Sequence, residues 1–240
     1  MKQSSKSTSK QKKLSVIWKD VRPWTLIVFE WQDGSGKSTQ IRILQQLLEA
    51  HGFFVVQTKW NSDPQIRKLT KSLKENDKNI PAPVFDMVHA ADLMNRYIND
   101  IEESLMAGMI VLCDRYVYTA LARGYGRWLH TPWLTDLYEG LFPTPDLTIH
   151  MRVAPDVSLS RSSDASSLNH YEAGMDMSHS TNILKSFTTF QNNVDAAYQD
   201  LAQKYGFHTF DGSRPVYETM PEIRSLVNNY IEKKYSVTIQ

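Results

Sequence analysis

The sequence predicts an α/β fold in which a parallel sheet is covered by helices on both faces. Two observations carry that reading. Short apolar, β-branched runs alternate with segments of helical period, and the runs are continuously apolar, as strands buried on both faces must be. In addition, the two motifs that stand out follow such runs directly, at the sheet edge where ligands of parallel α/β proteins bind.

The first strand is expected over Trp24 to Glu30, entered through Pro23 and left through a Gly-containing loop. From Lys37 to Ala50, Ile41, Leu44, Leu47 and Leu48 recur at helical spacing, and Gly52 is placed to stop that helix. Phe53 to Thr58 reads as a second strand, and Gln65 to Lys74 as a short helix. The longest helical pattern runs from Pro83 to Gly108, with Val84, Met87, Val88, Ala91, Met94, Ile98, Ile101 and Leu105 as its buried stripe. Met109 to Cys113 is a third strand, Asp146 to Val153 a fourth and Gly206 to Phe210 a fifth, followed by a last helix from about Glu218 to Lys234. Ser158 to Thr181, rich in Ser, Asn, His and Asp, is the one internal segment expected to be loose.

With 240 residues, 41% hydrophobic and 22% charged, the chain has material for one large core. The expected organisation is a basic, disordered arm over residues 1–20 and a single domain over 21–240. Twenty-seven basic and 26 acidic residues leave a formal net charge of +1, so no whole-chain field points to nucleic acid or to a membrane. The single cysteine, Cys113, has no internal disulfide partner and reads as packed core. No run reaches the roughly 18 apolar residues of a membrane span. Met1 to Lys13 holds five lysines and no acid, without the apolar centre of a secretory signal. These features fit a cytoplasmic protein. The seven histidines show no metal-ligand spacing, and Trp128 and Trp133 read as packing residues rather than as base-stacking platforms.

The loop Asp33-Gly34-Ser35-Gly36-Lys37-Ser38-Thr39 joins the first strand to the first helix. It offers a triphosphate exposed backbone N–H groups, a helix N-terminus and a cation. Lys37 reaches toward the outer phosphates in that arrangement, and the Ser38 hydroxyl toward Mg²⁺. The first position of the pattern G-x-x-x-x-G-K-[ST] is Trp31; where only glycine fits easily, a bulky residue costs roughly 1 to 2 kcal/mol or reshapes the loop. The alternative is a Gly-Ser-Gly turn ahead of an ordinary helix. At the end of the third strand, Asp114 stands where a carboxylate can hold Mg²⁺ through water, and Arg115 where a guanidinium can neutralise a phosphoryl group. The alternative there is a helix cap with a surface arginine. Arg115, Arg123 and Arg127 form either an anion-binding cluster or a solvated basic face.

Taken in order, these residues resemble the thymidylate kinase family of P-loop nucleoside monophosphate kinases. Phe29-Glu30 and the loop through Gln40 match, followed by Ala90-Ala91-Asp92 and by Cys113-Asp114-Arg115-Tyr116 with Thr119. Pro145-Asp146-Leu147-Thr148, Ala154-Pro155-Asp156-Val157 and Asp211 complete the set, from about Thr25 to Ile231. The resemblance implies a P-loop NTPase three-layer fold with a five-stranded parallel sheet and a lid, about residues 158–181. It implies transfer of the γ-phosphoryl group of ATP, with Mg²⁺, to a nucleoside monophosphate, with dTMP as the acceptor. Lys37, Asp114 and Arg115 would be catalytic and Ser38 and Asp114 would hold the metal. Asp33 to Thr39 and Arg161, at the start of the lid, would contact ATP. Glu30, Tyr116, Thr119 and Arg123 would serve the acceptor, with Arg96 replacing an arginine that the family carries at Leu93. Lys59-Trp60-Asn61 stands where the family has an Arg-Glu-Pro-like run, and the lid stretch from Ser162 to Asp176 offers only His170 as a cation.

Two other readings stay open on sequence: a kinase of this fold with a different small acceptor, and a nucleotide-binding module with little turnover. The expected partners are ATP and a small phosphorylated acceptor. The apolar residues of the Pro83 to Gly108 helix are covered either by the chain's own core or by a second copy in a homodimer.

Overall fold

The computed structural model describes residues 24–31, 37–76, 80–129, 131–161, 168, 170–177 and 180–239. Five strands, β1 (Thr25–Trp31), β2 (Val55–Lys59), β3 (Ile110–Asp114), β4 (Leu147–Arg152) and β5 (His208–Asp211), form one sheet in the order β2-β3-β1-β4-β5. Every pairing is parallel. The sheet therefore needs crossover helices, and supplies ligand positions beyond its carboxyl ends.

The period-2 alternation of β1 sorts its side chains between two cores. Leu26 and Val28 face the helices α3 (Ala82–Arg96), α5 (Val117–Gly126) and α8 (Ile183–Tyr205), whereas Ile27 and Phe29 face α1 (Lys37–Ala50) and α9 (Val216–Tyr235). All four of these residues are fully buried, which explains why the strand reads as an unbroken apolar run. The remaining helices are α2 (Pro64–Asn76), α4 (Glu102–Met106), α6 (Thr131–Glu139) and α7 (Pro155–Arg161). No helix among the described residues is long and apolar enough to cross a membrane.

The long helix corrects the expected stripe. Between α3 and α4 lies a π-helical turn, Tyr97–Ile101, closed by the Glu102 N–H donating to the Tyr97 carbonyl. Its i→i+5 bonding adds one residue to the turn and shifts the phase of everything before it. Ile101 and Leu105 are buried as expected, but upstream the buried face is Phe85, Asp86, His89, Ala90, Leu93 and Tyr97. Val84, Met87 and Ile98 are instead 39%, 50% and 50% exposed.

The segment expected to be loose is packed where it is described. Tyr171 and Ala173 are buried, and Asp176 is paired with the buried Arg127 guanidinium at 2.8 Å. Gly174, at φ +62°, lets the chain turn against Phe190, whose Cβ would lie 2.6 Å from an added Cβ.

Candidate active site

The carboxyl end of β3 is built as a tight corner. Asp114 closes the strand and is half-buried. Its carbonyl accepts the Trp60 N–H at 2.9 Å, while the Arg115 N–H donates to the Phe29 carbonyl at 2.9 Å. Between those bonds Arg115 adopts φ +69°, a left-handed conformation in which a side chain with a Cβ is strained. The turn swings the Arg115 side chain into a pocket of about 90 Å³ lined by Trp60, Asn61, Phe85, Asp86, His89, Ala120, Arg123, Tyr171 and Glu172.

Directly behind the corner sits Glu30, fully buried at the end of β1. Its carboxylate accepts the Tyr116 N–H at 2.9 Å, the Thr119 hydroxyl at 2.5 Å and the Tyr198 hydroxyl at 3.0 Å. Burial pushes its pKa up to about 7, against those hydrogen bonds and the charge of Arg115, which pull it down. Tyr116 and Thr119 are buried as well. Glu30, Tyr116 and Thr119, expected at the acceptor, are therefore not on the pocket wall: they lock the N-terminal turn of α5 onto the sheet. Burial also pushes the Cys113 thiol up to about 12, in keeping with a packed side chain.

Arg96, also expected at the acceptor, does not line this pocket. It is 2% exposed, with Nε on Asp92 at 3.0 Å and Nη1 on the Thr58 hydroxyl at 2.7 Å. Asp92, one helical turn earlier, also accepts the N–H groups of Asn61 and Asp63 at 3.1 and 3.0 Å. The ion pair thus holds the β2–α2 connection in place, which sets Trp60 and Asn61 at the pocket. Of the three arginines read as either an anion-binding cluster or a solvated basic face, Arg115 and Arg123 line the pocket. Arg127 does not; it binds Asp176 and the Tyr171 carbonyl, and its guanidinium carbon lies 4.4 Å from the centre of the Phe190 ring. Trp128, expected in packing, is 70% exposed.

Asp33, Gly34, Ser35 and Gly36 lie outside the described residues, as do the side chains of Lys37, Ser38 and Arg161 and the whole of the arm 1–20. Lys37 opens α1, so the backbone of Lys37, Ser38 and Thr39 forms the first helical turn after β1. That is the strand-to-helix junction a phosphate loop requires. Sequence reasoning passed over Phe85, Asp86, His89, Tyr171 and Glu172 on the pocket wall. The only signal available for Trp60 and Asn61 was their departure from the pattern of related chains.

The profile of the family described as Thymidylate kinase matches residues 29–223. The chain is 34% identical to the probable thymidylate kinase 2 of Saccharolobus solfataricus over 209 residues, covering 86% of this chain and 97% of that protein. It is 29% identical to the thymidylate kinase of Halothermothrix orenii over 211 residues, covering 86% and 98%. Against the thymidylate kinase of Bacillus velezensis it is 25% identical over 214 residues, covering 86% and 96%.

Proposed function

Because this chain belongs to the thymidylate kinase family, we propose that it transfers the γ-phosphoryl group of ATP to dTMP, giving dTDP and ADP. The observation that carries the reading is the corner at Asp114 and Arg115. It sets a carboxylate and a guanidinium at the carboxyl end of the sheet, beside a pocket of aromatic and charged side chains.

In this reading the acceptor phosphate lies against Arg115, with its base directed toward Phe85, Asp86, Arg123 and Tyr171. Lys37 neutralises charge on the outer phosphates of ATP, the backbone of Asp33 to Gly36 cradles them, and Arg161 contacts the donor nucleotide. Attack is in line, from an acceptor phosphate oxygen onto the γ-phosphorus, and catalysis comes from positioning and charge neutralisation. The segment 170–177 covers the pocket and excludes water, the competing acceptor.

Asp114 suits a hard cation. Among the described residues no group of three or more acidic, His or Cys side chains converges on one point. A metal here would accordingly be held by one carboxylate, the Ser38 hydroxyl and the phosphates, a set that matches Mg²⁺. When bound, Mg²⁺ would neutralise charge on the phosphates of the donor.

We extend the proposal to a single catalytic domain over residues 21–240 in the cytoplasm and to a homodimer formed through Val84, Met87 and Ile98. Ile98→Glu would then halve the mass measured by analytical ultracentrifugation. Separating the nucleotides after incubation with ATP, Mg²⁺ and dTMP tests the activity. Equimolar dTDP and ADP are expected; ADP without dTDP would reject dTMP as the acceptor.

A further inference from the structure

Asp86, on the pocket wall, has a polar atom that the fold does not use. Asp86 projects from α3, is 4% exposed and lines the pocket. Its backbone carbonyl takes the Tyr138 hydroxyl at 3.1 Å, but its Oδ2 is sealed from solvent with no hydrogen-bond partner. Buried carboxylate oxygens ordinarily find donors, because leaving one unpaired forfeits its hydration without return. Burial pushes its pKa up to about 7, while Arg127 and Arg123 pull it down and Asp176 pushes it up. The nearest compensating charge is already engaged: Arg127 gives its Nε and Nη2 to Asp176 and to the Tyr171 carbonyl.

The surroundings are aromatic and offer ring faces and edges to a base. Phe85 and Tyr171 stack at 5.0 Å with 15° between their planes, and His89 meets Phe85 edge-on at 4.3 Å. Arg123, from α5, lines the same pocket, and its guanidinium can only donate. Asp86 and Arg123 thus offer an acceptor and a donor, with Asn61, His89, Arg115 and Glu172 on the same wall. A ring that satisfies both carries an N–H next to a carbonyl oxygen, which is the pairing edge of thymine or uracil and also of guanine; a pocket of about 90 Å³ favours the single ring. Cytosine has no hydrogen on N3 and offers the opposite pattern.

Resting on the nucleotide kinase reading above, we propose that Asp86 determines acceptor specificity: its Oδ2 accepts the N3–H of a thymine-type base, and Arg123 donates to the neighbouring carbonyl oxygen. A site that pairs a substrate N–H discriminates strongly against an analogue that lacks it.

The test uses dTMP and 3-deaza-dTMP, in which C–H replaces N3–H and the C4 oxygen becomes a hydroxyl that can still accept from Arg123. Calorimetric titration of the full chain is expected to give at least a tenfold weaker Kd for the deaza analogue. In Asp86→Leu, shown to be folded by its thermal transition, the two nucleotides should bind within twofold of each other. Should that variant not fold, Asp86→Asn decides. It keeps the shape and adds an N–H, so the ratio of kcat/KM for dCMP to that for dTMP should rise about tenfold. An analogue penalty that is the same in wild type and Asp86→Leu, or a dCMP to dTMP ratio unchanged in Asp86→Asn, would overturn the assignment while leaving the kinase reading in place. Failure of the wild type to bind any nucleoside monophosphate would remove the kinase reading and this assignment together.

Discussion

Glu30, at the end of β1, and Tyr198, midway along α8, are joined by a 3.0 Å hydrogen bond that spans 168 positions of sequence. Thr119 closes the triangle, with its hydroxyl 2.5 Å from the Glu30 carboxylate and 2.8 Å from the Tyr198 hydroxyl. The backbone that carries Asp114 and Arg115 is therefore pinned to the sheet by Glu30 and, through Tyr198, to a helix on the lid side. A carboxylate with three donors, none of them a cation, holds the corner with geometry rather than with a charge pair.

That arrangement has a definite pH signature. Glu30 titrates near 7 in the fold, against an ordinary value of 4.5, so the folded chain binds the extra proton between those pH values. Its contribution is greatest below pH 4.5 and is lost as pH rises to about 7. Glu30→Gln removes this loss. Urea unfolding at pH 5 and pH 8 should show the variant gaining on the wild type as pH rises, by on the order of 3 kcal/mol. A difference between the two proteins that does not change with pH would contradict the buried, raised carboxyl.

The cover of the pocket depends on Arg127. Its pair with Asp176 leaves the two side chains only 1% and 5% exposed, and removing one partner of a buried pair strands the other. Arg127→Ala should lower the unfolding free energy by about 3 to 5 kcal/mol and make residues 170–177 sensitive to limited proteolysis. Gly174→Ala, which must accept both φ +62° and the 2.6 Å approach of Phe190, should produce the same proteolytic pattern.

Strain at Arg115 is separable from its charge. Arg115→Ala and Arg115→Gly both delete the guanidinium, but only glycine relaxes the φ of +69°. The glycine variant should be the more stable of the two by about 1 kcal/mol in thermal unfolding. Both should lose about 100-fold or more in kcat, the usual result of deleting a preorganised charge at a transition state. Equal stability would mean that the corner carries no backbone strain.

The strands β1, β3 and β4 were legible because burial on both faces makes them largely apolar runs, and the observed ends of all five strands fall within about two residues of those expected. The stripe of α3 was not. A fixed period of 3.6 extrapolated back from Ile101 and Leu105 lands on Ile98, Ala91 and Val84, because the extra residue of the π turn leaves no mark in composition. The same phase error hid the pocket. Phe85, Asp86 and His89 belong to the face that was assigned to solvent, and Tyr171 to a stretch that reads as polar loop. Asp114 and Arg115 could be placed because a charged pair that ends an apolar strand stands at the ligand-binding edge whatever the details of packing.

The central claim is phosphoryl transfer to dTMP at this sheet edge. Its most direct test is a coupled assay of ADP release with ATP, Mg²⁺ and, in turn, dTMP, dUMP, UMP, CMP, AMP and GMP, with Lys37→Ala as control. Rapid release with dTMP that falls by about 100-fold or more in Lys37→Ala is the predicted result. Silence with every acceptor despite measurable ATP binding, or turnover unchanged in Lys37→Ala, would contradict it.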